Sequence, residues 1–371
     1  MAYTTIDDPS AHRQTLLYTG NGSARSLTNT GNSDLQPDWV WIKERDNAIS
    51  HRVFDSTRGA GKRIFPNNDS PESTHTPAVT SFNSDGFSVG DGTSVNENGD
   101  LYVAFQWKAG GGSTSSNNDG SYTSTVQANT TAGFSIVKYG DASSFSASTP
   151  ATVGHGLGRT PKWILIKNLD GTRSWGVHHV SNGAGKIMYL DLTNGVASST
   201  GFDNGTLPSS TVFTVNTLNV ANGNNLEYIA YCFADIQGYS KFGSYTGGGE
   251  VAGNNDASGP FIYTGFKPAW VMLRNTKDGE GWFIHDSKID DNGTNDSGGS
   301  AGTPGNPREQ RYQVNENQAE VRTVNAVDFL SNGFKLRTDT GSHNGADDSF
   351  IYMAFAEHPF VSSKGVPVTA G

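Results

Sequence analysis

The chain has 371 residues, a formal net charge of −10 and one cysteine, Cys232. The acidic balance argues against a nucleic-acid-binding protein, because no basic stripe is present to neutralise phosphates, and one cysteine cannot form an intrachain disulfide. Its 46 glycines and its short apolar runs, bounded by Gly, Asn, Asp or Pro, are typical of strands and turns. We therefore expect an all-β protein of two-sheet sandwiches.

The N-terminal stretch MAYTTIDDPS lacks the basic and apolar regions of a signal peptide. We expect synthesis in the cytoplasm. We also expect no membrane insertion, since no apolar run approaches the roughly 20 residues that a spanning helix needs. Residues 1–12 are assigned to an N-terminal arm.

The first copy of a repeated sequence frame follows this arm. The frame is Pro, any residue, an apolar run that begins with Trp, a base and a polar turn, and its first occurrence reads QPDWVWIKERDN. A second apolar stretch comes next, and the copy closes with the aromatic strand LYVAFQW at 101–107. Self-similarity of this kind indicates one structural unit used repeatedly. Repeat 1 is predicted at residues 13–110, as a β-sandwich.

Residues 111–130 are predicted to be a flexible linker, because Gly, Ser and Asn dominate the first part of this segment. The second copy of the frame, TPKWILIKNLDG, precedes the closing strand EYIAYCF. This copy predicts a β-sandwich repeat at residues 131–238.

The third copy, KPAWVMLRNTKDG, precedes the closing strand IYMAFAE and predicts a β-sandwich repeat at residues 239–360. It is longer than the others, and its extra residues fall at 290–310, a stretch with the composition of a solvent-facing loop. Asp290, Asp291 and Asp296 crowd there as oxygen ligands do around calcium, but the EF-hand spacing is not met, so no cofactor is predicted. Residues 361–371 form a C-terminal tail.

The recurring aromatic residues are the predicted core of the repeat. Their place in the most apolar strand of every copy favours packing over ligand stacking. They are Trp39, Trp163, Trp270, Tyr102, Tyr228 and Tyr352.

Catalytic and metal-binding motifs are weak throughout. His178 and His179 alternate to opposite faces of a strand, so they cannot chelate one ion together, and we expect them on a half-exposed strand with the matching His285 and Asp286. No nucleophile elbow, phosphate loop or His-Glu-x-x-His motif occurs. We predict that the protein is not an enzyme.

The segments LYTGNG, QPDWVWIKERD, SHRVFDSTRG, SFNSDGFSVG and YVAFQWKAGG, with the tail AFAEHPFVSSKGVPVTA, resemble a repeat family of virion-associated proteins of tailed bacteriophages, especially marine and cyanobacterial ones. The resemblance covers nearly the whole chain and is weakest in the second copy. It implies concanavalin A-like jelly rolls and a place on the virion, and it brings no catalytic residues.

The expected function is that of a virion structural or adhesion protein: a tail fibre, tail-tip or receptor-binding component, or a head decoration. Expected partners are other virion proteins, further copies of the chain and a host surface glycan or receptor. The alternative is a lectin or glycan-active enzyme on the same scaffold. A groove lined by Trp, Tyr and acids would favour that alternative, whereas a large flat apolar interface would favour the structural function.

Overall fold

A computed structural model describes residues 3–143, 146–249, 259–289 and 308–367. The prediction of an all-β fold is confirmed, because the described chain consists of antiparallel sheets and single-turn helices. Three consecutive segments each carry a principal sheet. We name them unit 1 (residues 13–107), unit 2 (residues 115–233) and unit 3 (residues 240–359).

Unit 1 has a four-stranded sheet of order β1-β9-β3-β4, covered on one face by a three-stranded sheet of order β2-β8-β7. The small pair β5-β6 continues from β4 through a bridge between Val53 and Ile64. Its elements are β1 (Arg13–Thr19), β2 (Arg25–Leu27), β3 (Trp39–Glu44), β4 (Arg52–Asp55), β5 (Lys62–Arg63), β6 (Ser73–Thr74), β7 (Val79–Phe82), β8 (Phe87–Val89), α1 (Thr93–Asn96) and β9 (Leu101–Trp107).

Unit 2 has an eight-stranded sheet of order β10-β11-β12-β19-β14-β15-β16-β17, faced by the pair β13-β18. Its elements are β10 (Ser115–Asn117), β11 (Ser124–Asn129), β12 (Phe134–Gly140), β13 (Ala151–Gly154), β14 (Trp163–Asn168), β15 (Gly176–His179), β16 (Lys186–Tyr189), β17 (Ala197–Ser198), α2 (Thr200–Asp203), β18 (Val212–Val215) and β19 (Glu227–Phe233).

Unit 3 has one eight-stranded sheet of order β20-β27-β22-β23-β24-β25-β26-β21. It curls so that β25 and β26 lie against β22 and supply the second layer. Its elements are β20 (Ser240–Thr246), β21 (Phe261–Tyr263), β22 (Phe266–Asn275), β23 (Trp282–Asp286), β24 (Arg308–Gln313), β25 (Val321–Leu330), β26 (Gly333–Leu336), α3 (Gly341–Asn344) and β27 (Ser349–Pro359). Short 3-10 helices span Pro9–Ala11 and Val180–Asn182.

The same four-strand arrangement lies at the centre of all three principal sheets. The closing strand pairs with the first strand on one side and with the frame strand on the other, and the frame strand then pairs with the next strand along the chain. The register across these strands also matches. Opposite partners in the three sheets are Arg13, Trp107, Trp39 and Asp55; Phe134, Phe233, Trp163 and His179; and Ser240, Phe355, Trp270 and Asp286. We call residues that share a place in this register equivalent.

Both faces of each frame strand are buried, as a continuous apolar run predicts. In β3, Trp39 and Trp41 face one core, whereas Val40 and Ile42 face another. The second core lies between the two layers of unit 1. Units 2 and 3 each have a core of the same kind.

The remaining core, which we call the common core, is shared by all three units. It contains the frame tryptophans Trp39, Trp163 and Trp270. Its centre is formed by the equivalent residues Trp107, Phe233 and Phe355, because the ring of Phe355 lies 5.5 Å from that of Trp107 and 6.1 Å from that of Phe233. The three principal sheets therefore surround one aromatic centre.

The prediction of a flexible linker at residues 111–130 is wrong. Residues 115–117 and 124–129 form β10 and β11, which extend the sheet of unit 2. The glycines before them are fixed by the buried carboxylate of Asp38, which accepts hydrogen bonds from the backbone N–H groups of Ala109, Gly111 and Gly112. Composition did not reveal this anchor, because it lies in the first frame.

The segments at the two ends of the chain meet each other. Asp7 accepts hydrogen bonds from the backbone N–H and the hydroxyl of Ser363, and Ile6 belongs to the common core. Most of the predicted loop at 290–310 lies outside the described residues. Its last residues, Arg308 to Gln310, lie in β24, so the loop prediction is wrong for them.

Candidate functional site: the interfaces between the units

Each unit donates one ring N–H group to the unit before it. Trp175 of unit 2 donates from Nε1 to the carbonyl of Phe65 in unit 1 at 2.8 Å. Trp282 of unit 3 donates in the same way to Tyr189 in unit 2, also at 2.8 Å. Unit 1 has a histidine at this position, and His51 Nε2 lies 3.2 Å from the carbonyl oxygen of its acceptor in unit 3.

These three hydrogen bonds are equivalent and form a closed cycle. Each donor is the first residue of the strand that follows the frame strand, or the residue before it. Each acceptor is the last residue of the strand that pairs with that second strand or, in unit 1, the residue after the bridge. The donors are His51, Trp175 and Trp282, and the acceptors are Phe65, Tyr189 and Gln313. A head-to-tail interface that returns to its start after three steps is the geometry of a cyclic trimer. Here one chain supplies all three positions.

A second cycle uses backbone groups alone. Glu72 N–H of unit 1 donates to the carbonyl of Leu169 in unit 2 at 2.9 Å, and Val196 N–H of unit 2 donates to Thr276 of unit 3 at 2.9 Å. The cycle closes where Glu320 N–H of unit 3 donates to the carbonyl of Arg45 in unit 1 at 2.8 Å. Backbone groups buried in such interfaces must be paired, so both cycles set the relative placement of the units.

The base that ends each frame is a buried cation. Lys43, Lys167 and Arg274 are fully buried, and burial lowers the pKa of both lysines to about 8 and that of Arg274 to about 10. Lys167 donates to the carbonyl of Asp69 in unit 1 at 2.9 Å, and Arg274 donates to Asn194 of unit 2 at 2.8 Å. In units 2 and 3 the base therefore holds a loop of the preceding unit.

Buried carboxylates opposite the frame tryptophans add ionic contacts between units. Asp286 of unit 3 pairs with Arg13 of unit 1 at 2.5 Å and accepts a hydrogen bond from Thr15 at 2.6 Å. Asp55 of unit 1 pairs with Arg58 and accepts a hydrogen bond from Tyr231 of unit 2 at 2.6 Å. Each of these two buried carboxylates is compensated by an arginine, as a low-dielectric interior requires.

The interface between units 3 and 1 has one more ion pair. Arg45 of unit 1 contacts Glu320 of unit 3 at 2.7 Å, and Glu320 also accepts a hydrogen bond from Tyr312. Here Arg45, two positions after the buried base, replaces the contact that Lys167 and Arg274 make elsewhere, since Lys43 donates to carbonyls of its own unit. The cycle is thus closed by a contact of different chemistry.

The structure places the predicted core residues in two kinds of core, the common core and the cores of the individual units. Trp39, Trp163 and Trp270 are fully buried, equivalent and all in the common core. Tyr102 and Tyr228 lie in the cores of units 1 and 2, stacked on Tyr18 and Tyr139 with ring centroids 5.1 Å apart in both cases.

Tyr352 is buried but is not equivalent to Tyr102 and Tyr228. The equivalent residue is Phe350, which stacks on Tyr245 at 4.7 Å. The pattern of Tyr, an apolar residue, Ala and an aromatic residue that the closing strands share lies two residues later in β27 than in β9 and β19, relative to the register of the sheet. The pairing of β27 with β22 is irregular nearby, around Pro268. A two-residue displacement keeps every side chain on its original face, so the sequence pattern does not show it.

The predicted polar strand residues are buried, not half exposed. His178 and His179 lie on opposite faces as predicted, one toward the core of unit 2 and the other against the ring of Trp163. Burial lowers the pKa of His178 to about 4 and that of His179 to about 3. His285 Nε2 lies 2.9 Å from His343 Nε2, a contact between residues 58 apart that the sequence did not indicate.

No group of three or more metal-ligating side chains occurs within the described ranges. Asp290, Asp291 and Asp296, the weak calcium candidates, lie outside those ranges. Within the described chain no helix is long and apolar enough to cross a membrane. The free thiol of Cys232 is buried in the core of unit 2, and burial raises its pKa.

Comparison with curated proteins finds no match, and neither does comparison with solved structures. A family model described as a domain of unknown function, DUF7483, matches residues 8–359. The match spans all three units and both hydrogen-bond cycles. The chain therefore belongs to the DUF7483 family.

Proposed function

We propose that the protein is a structural component of a bacteriophage virion, built as a single-chain counterpart of a trimer and carrying an adhesive role. The observation that carries this proposal is the closed cycle of equivalent hydrogen bonds from His51, Trp175 and Trp282. The resemblance to virion-associated proteins supports the assignment to a particle. The proposed positions on the virion are a tail fibre, the tail tip or a head decoration, and labelling of intact particles distinguishes them.

The interfaces suit a rigid building block. Opening any one of them would leave buried donors, acceptors or charges unpaired, and each such group costs about 1–3 kcal/mol, more for a charged one. The three units are therefore held as one body without a hinge between them. A body with approximate threefold symmetry fits a place on a particle where three subunits meet, and it can present a different outer surface from each unit.

The geometry does not favour the alternative of a lectin or glycan-active enzyme built around exposed tryptophans. All seven Trp side chains of the chain are buried, so none offers a face on which a sugar could stack. We propose that the protein has no hydrolytic activity. Purified protein incubated with host polysaccharide or peptidoglycan should release no reducing ends, and turnover abolished by one Asp or Glu substitution would contradict this proposal.

The virion assignment is tested on intact particles of the phage that encodes the chain. Antibodies against the purified protein, coupled to gold, should label one structural position on the particles in electron micrographs, and mass spectrometry of the same particles should detect the chain. Particles of an unrelated phage serve as the control. A chain found in the infected-cell lysate but absent from purified particles would refute the proposal.

A further inference from the structure

Unit 1 contains a pair of arginines without an acidic partner. Arg52 and Arg63 lie on the same face of β4 and β5, as diagonal neighbours across the bridge between Val53 and Ile64. Neither forms an ion pair within the described residues, although nine other basic side chains there do. Diagonal neighbours on one face of a sheet are within reach of each other's side chains.

Arg52 is 8% exposed, so its guanidinium is largely removed from water. Its Nη1 donates to the carbonyl of Ser50 at 2.7 Å, whereas its buried Nε has no hydrogen-bond partner. Burial, and then repulsion by Arg63, lower the pKa of Arg52 to about 10. The negative charge of Glu44 partly offsets this lowering, but Glu44 lies beyond ion-pair distance and accepts a hydrogen bond from the amide of Asn47.

The groups around the pair include a hydroxyl, an aromatic ring and a third basic side chain, that of His75. Arg63 Nε donates to the hydroxyl of Ser73 at 3.0 Å, and its guanidinium lies over the ring of Phe65 at 5.3 Å. His75 follows β6, and the positive charges of Arg63 and Arg52 lower its pKa in addition to burial. Arg52 is thus the most buried of the three basic side chains, and Arg63 and His75 are partly exposed.

An open groove of about 520 Å³ has Thr76, the residue that follows His75, in its lining. It is lined by small residues and hydroxyl side chains, among them Ser23, Thr76 and Thr80, and Asp91 is its one acidic residue. Hydroxyls and backbone groups are suited to hydrogen bonds with the hydroxyls of a saccharide, and paired guanidinium groups are suited to an oxyanion. The net charge of −10 disfavours a dense polyanion.

We propose that Arg52, Arg63 and His75 form an oxyanion site, which we call the arginine cleft, and that its ligand is the carboxylate or sulfate group of an acidic saccharide whose sugar ring occupies the adjoining groove. This proposal names the chemical class of ligand for the proposed adhesive role. Only the assignment of the anion to a saccharide rests on that role. The bound oxyanion supplies the paired negative charge that no carboxylate of the described residues provides to Arg52 and Arg63. Its oxygens accept from the unpartnered donors of both arginines.

The first test measures the melting temperature of the full chain while chloride is replaced by sulfate at constant ionic strength. A ligand that binds only the folded state raises the free energy of unfolding by RT ln(1 + [L]/Kd), so the wild-type melting temperature should rise more with sulfate than the nonspecific stabilisation by excluded sulfate alone provides. Arg63→Gln should show only the nonspecific rise. Arg159→Gln, which removes an exposed arginine of unit 2, should show the same rise as the wild type. Equal rises in the wild type and in Arg63→Gln would overturn the oxyanion site.

Arg63→Gln is the principal variant because Arg63 is less buried than Arg52 and its loss should not prevent folding. A folded Arg52→Gln variant should likewise show only the nonspecific rise in melting temperature. Both variants retain the hydrogen-bond cycles between units. The labelling of virions with antibodies does not use either variant. A negative result for the arginine cleft therefore leaves the virion assignment intact, and a negative labelling result leaves the oxyanion site intact.

The second test identifies the source of the anion by calorimetric titration with a uronate-bearing, a sulfated and a neutral oligosaccharide of equal length. One of the two acidic oligosaccharides should bind, and Arg63→Gln should weaken it by about tenfold or more, because charge-assisted hydrogen bonds are lost. The neutral oligosaccharide should not bind. Saturation by free sulfate with no binding of either acidic oligosaccharide would overturn the saccharide assignment.

Discussion

The tryptophans of the chain fall into two groups according to what their indole N–H contacts. Trp41, Trp175 and Trp282 donate to a ring nitrogen or a carbonyl oxygen. The three frame tryptophans and Trp107 are buried in the common core, and their Nε1 atoms have no acceptor in the described part of the chain. The first group therefore contributes directional bonds, whereas the second contributes apolar volume.

This difference gives a matched pair of substitutions in unit 3. Trp282→Phe removes the donor to the part-buried carbonyl of Tyr189, so it should cost about 1 kcal/mol more of the free energy of unfolding than Trp270→Phe. Both changes remove the same volume from the common core, which makes Trp270→Phe the control. Urea unfolding of both variants provides the comparison. Equal destabilisation would show that the N–H bond of Trp282 contributes nothing to the interface.

Buried histidines should make the fold sensitive to acid. Burial lowers the pKa of His178 from 6.5 to about 4, so below about pH 6.5 the unfolded chain binds a proton that the folded chain does not. The free energy of unfolding that His178 contributes is fully present above pH 6.5 and is lost as pH falls toward about 4. His179 and His285, with pKa values lowered to about 3, act in the same direction.

The equivalent residue of unit 1, Phe54, supplies the substitution that tests this. His178→Phe should reduce the loss of unfolding free energy between pH 6.5 and 4, as measured by urea unfolding at several pH values. His358→Phe, at a partly exposed site, should leave the loss as it is in the wild type. Parallel pH profiles for the wild type and His178→Phe would rule out a contribution from His178.

At the scale of elements, the burial of the frame strands can be predicted from the sequence, whereas the structure of the segment between units 1 and 2 cannot. An unbroken apolar run after Trp39 requires burial on both faces, which β3 has. The segment at 109–121 has the composition of a flexible linker, but its structure depends on Asp38, about 70 positions earlier in the chain. A contact of that kind leaves no trace in the composition of the segment that it fixes.

Asp38→Asn should therefore release the segment at 109–112. The carboxylate accepts from the backbone N–H groups of Ala109, Gly111 and Gly112 at 2.7, 2.8 and 2.7 Å, whereas an amide nitrogen at either oxygen position would oppose a donor. We expect a loss of about 2–4 kcal/mol from charged hydrogen bonds and faster amide hydrogen exchange in peptides that cover 109–117. Asp34→Asn, at an exposed position of unit 1, is the control. Unchanged exchange in Asp38→Asn would show that Asp38 is not the anchor.

At the scale of the molecule, the sequence shows a repeated unit but not what the units do to one another. The residue pairs that join the units are far apart in sequence. Arg13 and Asp286, for example, are separated by 273 positions, and neither segment contains a pattern that predicts the other as its partner. The shared aromatic centre is also hidden, because an inward-facing tryptophan looks the same whether it packs in its own sandwich or against a neighbour. Separate sandwiches and a closed cycle are both compatible with the repeats.

The common core predicts that the three units unfold together. Trp39 contacts Phe134, Tyr231 and Phe233 of unit 2, and Trp270 contacts Phe105 of unit 1. Truncation of a large buried aromatic side chain costs about 3–5 kcal/mol. Trp39→Ala should therefore lower the stability of the whole chain by that amount, although the substitution lies in unit 1.

Differential scanning calorimetry should give one transition for the wild type, with equal calorimetric and van't Hoff enthalpies, and one transition at lower temperature for Trp39→Ala. Hydrogen exchange should then accelerate in β14 and β22 as well as in β3, because opening the common core exposes all three sheets. Leu207→Ala, which removes a side chain that is 50% exposed, should change neither readout. Separate transitions, or faster exchange confined to unit 1, would mean that each unit relies on its own core and that the hydrogen-bond cycles only dock units that are already stable.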